Sequence, residues 1–404
     1  MSESDPAAPG ELATAPVAPP AADPFAELHA GFDDMFNNTV RIPGQDAWII
    51  LCGYNIGETS EFCALADAFV QQHGHGIILL VRPAHVAVAR MYGHRFLKVL
   101  VLQDDIMQAV LRSNYIPQDR FEINKPMSAC WIDRGFRHSD GVKYLGSHYP
   151  GRGGISETDM QRFVLRLPWN AKLEAPRIRV DWERAAMQQA LDLGLRMGRS
   201  VLLCPINNSA KRFPQIFWDT VAARLIERGY MVFTNMGGLN EFNGIANMPI
   251  PGTTAVSLPI EQVIPFAHLA GRMITGGNGM SFLTMLGSWK TFRITQILPT
   301  TKDASFTTSS MGARSKHPSR EASLISAFQY LSPELCIDAP LSEFLLPFDE
   351  SDDEMVRLAR VVADEDTSDP SYIERRECNG KRYIDEHAGW LRELTTAPEQ
   401  APGG

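Results

Sequence analysis

Residues 47–81 read AWIILCGYNIGETSEFCALADAFVQQHGHGIILLV, and the spacing of apolar residues inside this stretch decides the fold. It opens with an unbroken apolar run of strand length (47–54) and closes with another, GIILLV (76–81). Between them Phe62, Leu65, Ala66, Phe69 and Val70 recur at i, i+3, i+4, i+7 and i+8, one face of a helix. Strand, glycine-bearing turn, helix, strand is the parallel unit with a crossover helix, because two parallel strands need a long connection to return to the same edge.

The same alternation extends outward. A helix at 84–92, a strand near LKVLVL (97–102) and a helix opening at Asp104 or Asp105 complete a first Rossmann-like half. The pattern becomes irregular over 115–185, where His138, Tyr144, His148, Tyr149 and PGRGG (150–154) precede an expected helix at 156–167. It restarts at VLLCPIN (201–207) and a helix opened by Pro214 that carries Trp218, Val221, Ala222, Leu225 and Ile226 before Gly229. Strands at 230–235, 272–277 and 291–298 and helices at 259–270 and 279–286 make a second half. Further helices are expected at 321–331, 352–363 and 371–396. The fold class is α/β, two facing Rossmann-like domains with helical C-terminal segments. The expected division is an Ala/Pro-rich disordered tail (1–24), a first domain (25–190), a second domain (191–335), C-terminal helices (336–396) and a disordered tail (397–404).

Composition narrows the function. Of 404 residues 44% are hydrophobic, enough for sizeable cores. With 38 Lys and Arg against 47 Asp and Glu the formal charge is −9, which argues against a nucleic-acid partner needing a broadly basic surface. The six cysteines (Cys52, Cys63, Cys130, Cys204, Cys336, Cys378) form no CxxC pair, so a reduced, cytoplasmic setting is expected. The N-terminus has neither the basic start nor the apolar run of a secretory signal, and no stretch is long and apolar enough to cross a bilayer. Any membrane contact is then peripheral, at the inner face.

Three loops can carry chemistry. GYNIGETSEF follows the first strand, where open α/β sheets bind ligands, but lacks the GxGxxG dinucleotide spacing. Glu58 there can take a proton from a hydroxyl nucleophile, or merely complement a helix dipole, and Asn55 beside it is a candidate on the acceptor side with His138 and His148. NNSAKRFP (207–214) sets Lys211 and Arg212 before a helix start, suited to phosphate oxygens and to charge on a leaving diphosphate, or to plain solvent exposure. TGGNGMS (275–281) supplies Gly276, Gly277, Asn278, Gly279, Met280 and Ser281 between a strand and a helix whose free amides suit a diphosphate, or a tight turn of purely steric origin. No GKS or GKT follows it, so a nucleoside-triphosphatase loop is not indicated. The acidic run DED (364–366) lies between C-terminal helices and reads as a solvated face rather than a metal site. Histidine spacing supports no metal.

With these residues in view, the chain over about 46–300 resembles GT-B-fold glycosyltransferases, and among them the ADP-heptose:lipopolysaccharide heptosyltransferase-like group, glycosyltransferase family 9. NIGETSEFCAL stands where that family has a "GDxxxxxP"-like loop with its proposed base. LLCPINNSAKRFP resembles its "KRWP" segment. SLPIEQVIPFAHLAGRMITGGNGMSFLTMLG is similar to "LxELAALIAxAD" followed by "GNDSGxxHLAAALG", with the family's Asp and His absent here. The resemblance implies a nucleotide-sugar donor and a glycan or lipid-linked acceptor, as in polysaccharide or lipopolysaccharide biosynthesis. It implies direct displacement with inversion, Glu58 as base and Lys211 at the departing diphosphate, and neither cofactor nor metal. A nucleotide-sugar epimerase and a catalytically silent glycan- or partner-binding protein are the alternatives on the same fold.

Overall fold

In the computed structural model the described residues are 26–35, 38, 40, 42–45, 47–52, 56–112, 165, 167–168, 171–205, 212–237, 249–276, 279–288, 293–300 and 341–372. The first lobe runs α1 (Ala26–Met35), β1 (Ala47–Cys52), α2 (Ile56–His73), β2 (Gly76–Val81), α3 (Val86–Met91), β3 (Lys98–Val101) and α4 (Asp104–Arg112), with 3-10 turns at Pro83–His85 and Gly93–Arg95. The second runs α5 (Val180–Asp192), β4 (Ser200–Cys204), α6 (Gln215–Glu227), β5 (Met231–Asn235), β6 (Thr254–Val256), α7 (Ile260–Ala270) and β7 (Arg272–Gly276). It continues through α8 (Gly279–Ser288), β8 (Arg293–Thr300), β9 (Leu341–Pro347) and α9 (Asp352–Asp364).

Among the described residues the named strands pair only in parallel. The first sheet has the order β1-β2-β3, and the second β6-β5-β4-β7-β8-β9, in which β4 starts two half-sheets that wind in opposite directions. That is the doubly wound arrangement, and its strand order reverses between β4 and β7. β1, β2 and β4 are apolar and buried nearly throughout, as strands covered on both faces must be.

One continuous apolar core runs through both lobes: Trp48, Phe62 and Phe69 from the first share it with Phe233, Phe266 and Leu283 from the second. Phe62 and Phe69, one i, i+7 pair on the α2 face read from sequence, pack edge to face at 6.0 Å, and Trp48 packs on Phe69 at 5.5 Å. α7 ends on Gly271 at φ 89°, the left-handed conformation that suits glycine, and a Cβ there would fall 2.8 Å from the Gly198 Cα.

Several expectations are revised. Residues 341–347, which the sequence reading left without an element inside a helical segment, form strand β9, in register with β8. Its pattern LSEFLLP hides the strand because Glu343, fully buried, interrupts the apolar run. The three-residue β6 was also passed over. The expected boundary at 190/191 falls inside α5, which packs on α7 of the second lobe. The DED run is solvated at Asp364 and Asp366, which are exposed, but it is also held by ion pairs. Asp364 pairs with Arg224 at 3.0 Å and Arg228 at 3.1 Å, and Glu365 with Arg293 at 2.6 Å and the buried Arg272 at 3.4 Å. Arg272 and Arg293 open β7 and β8, so these carboxylates sit at the amino edge of the sheet. The expected helices at 156–167, 321–331 and 371–396 lie outside the described residues, apart from a few positions at their ends. Among the described residues no helix is long and apolar enough to cross a membrane.

Candidate functional site

The carboxyl edge of the second sheet is built around the reversal of strand order, where β4 ends at Cys204 and β7 at Gly276. A crevice opens at such a point because the connections after the two strands leave toward opposite faces. The connection after β7 leads within two residues into α8, so the first turn of α8 starts at that edge of the sheet. After β4 the chain is pinned by Phe213, buried and stacked on Phe217 at 4.7 Å, which fixes where Arg212, exposed, leaves the helix start. Asn235, at the end of β5, ties the neighbouring connections together. Its Oδ1 accepts from the Gly237 amide at 3.0 Å and its Nδ2 points at the Met280 sulfur at 3.8 Å. Met280 is half-buried.

Ser281 is fully buried. Its hydroxyl donates to Gln296 Oε1 at 2.8 Å, and Gln296 Nε2 donates to Glu343 Oε1 at 3.0 Å, a fully buried chain from α8 through two register-paired strand residues. The side chain of Ser281 therefore braces the turn from beneath. Gly276 pairs with Ile297 in the ladder, and its carbonyl accepts from the Thr275 hydroxyl at 2.7 Å.

The first lobe brings the matching edge. Glu58 belongs to the first turn of α2, directly after the turn that follows β1. A Cβ added at Gly279, the first residue of α8, would lie inside van der Waals contact of the Gly57 backbone nitrogen and Cα, and 2.9 Å from Ile56 Cγ2. The amino ends of α2 and α8 thus touch backbone to backbone across the two lobes, and only a glycine permits that approach. Beside them Thr59 and His85 share a buried hydrogen bond of 2.8 Å, and Arg82 donates to Asp104 at 2.6 Å. Burial and the neighbouring Arg82 push the His85 ring down to about 4. Burial likewise raises the Cys204 thiol to about 12, so it stays protonated beside the crevice.

Of the residues singled out from sequence, the structure brings together the first turn of α2 with Glu58, and Gly276, Gly279, Met280 and Ser281 around α8, with Arg212 at the opposite side of the reversal point. Asn55, His138, His148, Lys211, Gly277 and Asn278 lie outside the described residues, as does the expected acceptor segment 115–155. Sequence reasoning missed Thr59, His85, Asn235, Gln296 and Glu343. Polar residues inside or just past apolar strand runs were the available signal. Among the described residues no group of three or more His, Cys, Asp or Glu side chains is arranged to hold a metal.

No protein-family model and no curated protein matches this sequence. Among solved structures the chain is similar to a glycosyl transferase of family 9 from Veillonella parvula, at 10% identity and a TM-score of 0.45, over 81% of this chain and all of that one. It is also similar to the E. coli ADP-heptose lps heptosyltransferase II, at 8% identity and a TM-score of 0.40, over 79% of this chain and 99% of that one. A third similarity is to S. aureus MnaA with UDP, at 10% identity and a TM-score of 0.35, over 88% of this chain and 99% of that one. At these scores no residue role or activity carries over.

Proposed function

We propose that the chain is a glycosyltransferase that moves a sugar from a nucleotide-sugar donor to a hydroxyl of a glycan or lipid-linked acceptor, with inversion. The observation that carries this reading is the meeting of α2 and α8 at Gly57 and Gly279, which puts the first turn that contains Glu58 against the start of α8 at the reversal point. A leaving diphosphate and an attacking hydroxyl must lie on opposite sides of one sugar carbon, and two lobes that meet along their carboxyl edges offer a partner to each.

In the proposed step the acceptor oxygen forms a bond to the anomeric carbon while the bond from that carbon to the diphosphate oxygen breaks. The hydroxyl proton goes to the Glu58 carboxylate, and the electron pair leaves with the nucleoside diphosphate. Lys211, Arg212 and the first amides of α8 stabilise the charge gathering on the leaving group, a role that cations and oriented amides fill without a metal. Interactions that strengthen as that charge develops raise turnover rather than ground-state affinity.

Release of nucleoside diphosphate from a panel of nucleotide sugars, with and without oligosaccharide or lipid-linked acceptors, tests the reading. Acceptor-dependent release, reduced at least about 100-fold in Glu58→Gln with nucleotide affinity preserved, is the expected result. Nucleotide binding without transfer to any acceptor identifies a silent binder. Interconversion of the free nucleotide sugar without an acceptor identifies an epimerase. Either outcome removes the proposal.

A further inference from the structure

The carboxyl edge of the first sheet carries a buried polar pair that the transfer step does not use. His85 closes the 3-10 turn after β2 and is 4% exposed, and Thr59, one residue after Glu58, is wholly buried. Their 2.8 Å hydrogen bond joins the end of β2 to the first turn of α2. One imidazole therefore ties the end of β2 to the helix start that follows β1. Arg82, paired with Asp104 at 2.6 Å, supplies the adjacent charge, and with burial it keeps the ring neutral at ordinary pH, so the link is an uncharged strut.

That link falls in the first turn of α2, the turn that contains Glu58. Phe62, Leu65 and Phe69 pack the helix into the core from its second turn onward, and in the first turn Thr59 is buried while Gly57 meets the start of α8. Helix ends fray because their first amides have no intrahelical partner. A general base must stand within hydrogen-bond reach of the proton it takes, and an error of 1 Å can lower the rate about 100-fold.

We infer that His85 is a positioning residue that acts through Thr59 on the first turn of α2, holding Glu58 at the acceptor hydroxyl. The inference rests on the glycosyl-transfer reading. Its test is steady-state kinetics of the full chain with the donor and acceptor found by the panel above.

Thr59→Val, which removes the hydroxyl and keeps the shape, lowers kcat about 10- to 100-fold and leaves the donor KM within about threefold. His85→Leu does the same. Thr59→Ser and His85→Asn, which keep a hydrogen-bonding group at either end, recover most of the rate. The double variant Thr59→Val/His85→Leu is no slower than the slower single one, because either change removes the same bond. Thermal unfolding of each variant gives the folded fraction, so a loss that merely follows unfolding is recognised and overturns the inference. Wild-type kcat in folded Thr59→Val, or losses that multiply in the double variant, overturn it too while the transfer reading stands. An unaltered chain that transfers no sugar overturns both.

Discussion

His85 makes the stability of the first lobe depend on acid in a defined direction. Its ring is held at about 4 against 6.5 for a free imidazole, chiefly by burial and then by Arg82, while the Cys52 backbone and Asp104 oppose the shift. Between those values the unfolded chain binds a proton that the folded chain does not. Stability is therefore full above pH 6.5 and falls as the pH drops toward 4. Urea unfolding at a series of pH values gives this one-proton loss for the wild type and not for His85→Leu. At the opposite edge, Glu365→Gln leaves the buried Arg272 guanidinium without its carboxylate. Removing one member of a buried pair costs about 3 kcal/mol, visible as a lower urea midpoint. Turnover per folded molecule should not change, because that pair stands at the amino ends of β7 and β8. Glu58 and Ser281 were legible as candidates from their loops. The braces beneath them were not, because Thr59, His85, Gln296 and Glu343 acquire partners only when distant strands align.

Among the elements, α2 and α8 decide whether the two edges meet. Gly279→Ala introduces a methyl group where the Gly57 backbone stands, and backbone cannot swing aside as a flexible side chain can. The expected result is a separation of the two helix starts. It would be measured as faster amide exchange over 56–60 and 279–283 and as a fall in turnover of at least about 10-fold. An unchanged exchange pattern would show that the contact is not needed. Most elements were readable because their periods are clean: β1, β2 and β4 are continuous apolar runs, and α2 and α6 keep helical spacing over several turns. β9 and β6 were not, the one because a buried glutamate breaks its run, the other because three residues carry no period.

Across the whole molecule, a parallel sheet with reversed strand order and a second parallel sheet, joined where the starts of α2 and α8 meet, set the place of the proposed reaction. The two-lobed α/β class follows from the alternation of the sequence. The meeting at Gly57 and Gly279 does not, since nothing local in either loop signals the other. The central claim is that the crevice at the end of β4 and β7 holds the diphosphate of a nucleotide. Thermal unfolding against a panel of nucleoside diphosphates tests it directly. The account predicts that at about 100 times its Kd one base stabilises the chain by about 2.7 kcal/mol, and that Lys211→Ala abolishes the shift. A midpoint unmoved by every nucleotide, or a shift retained in full by Lys211→Ala, would contradict it.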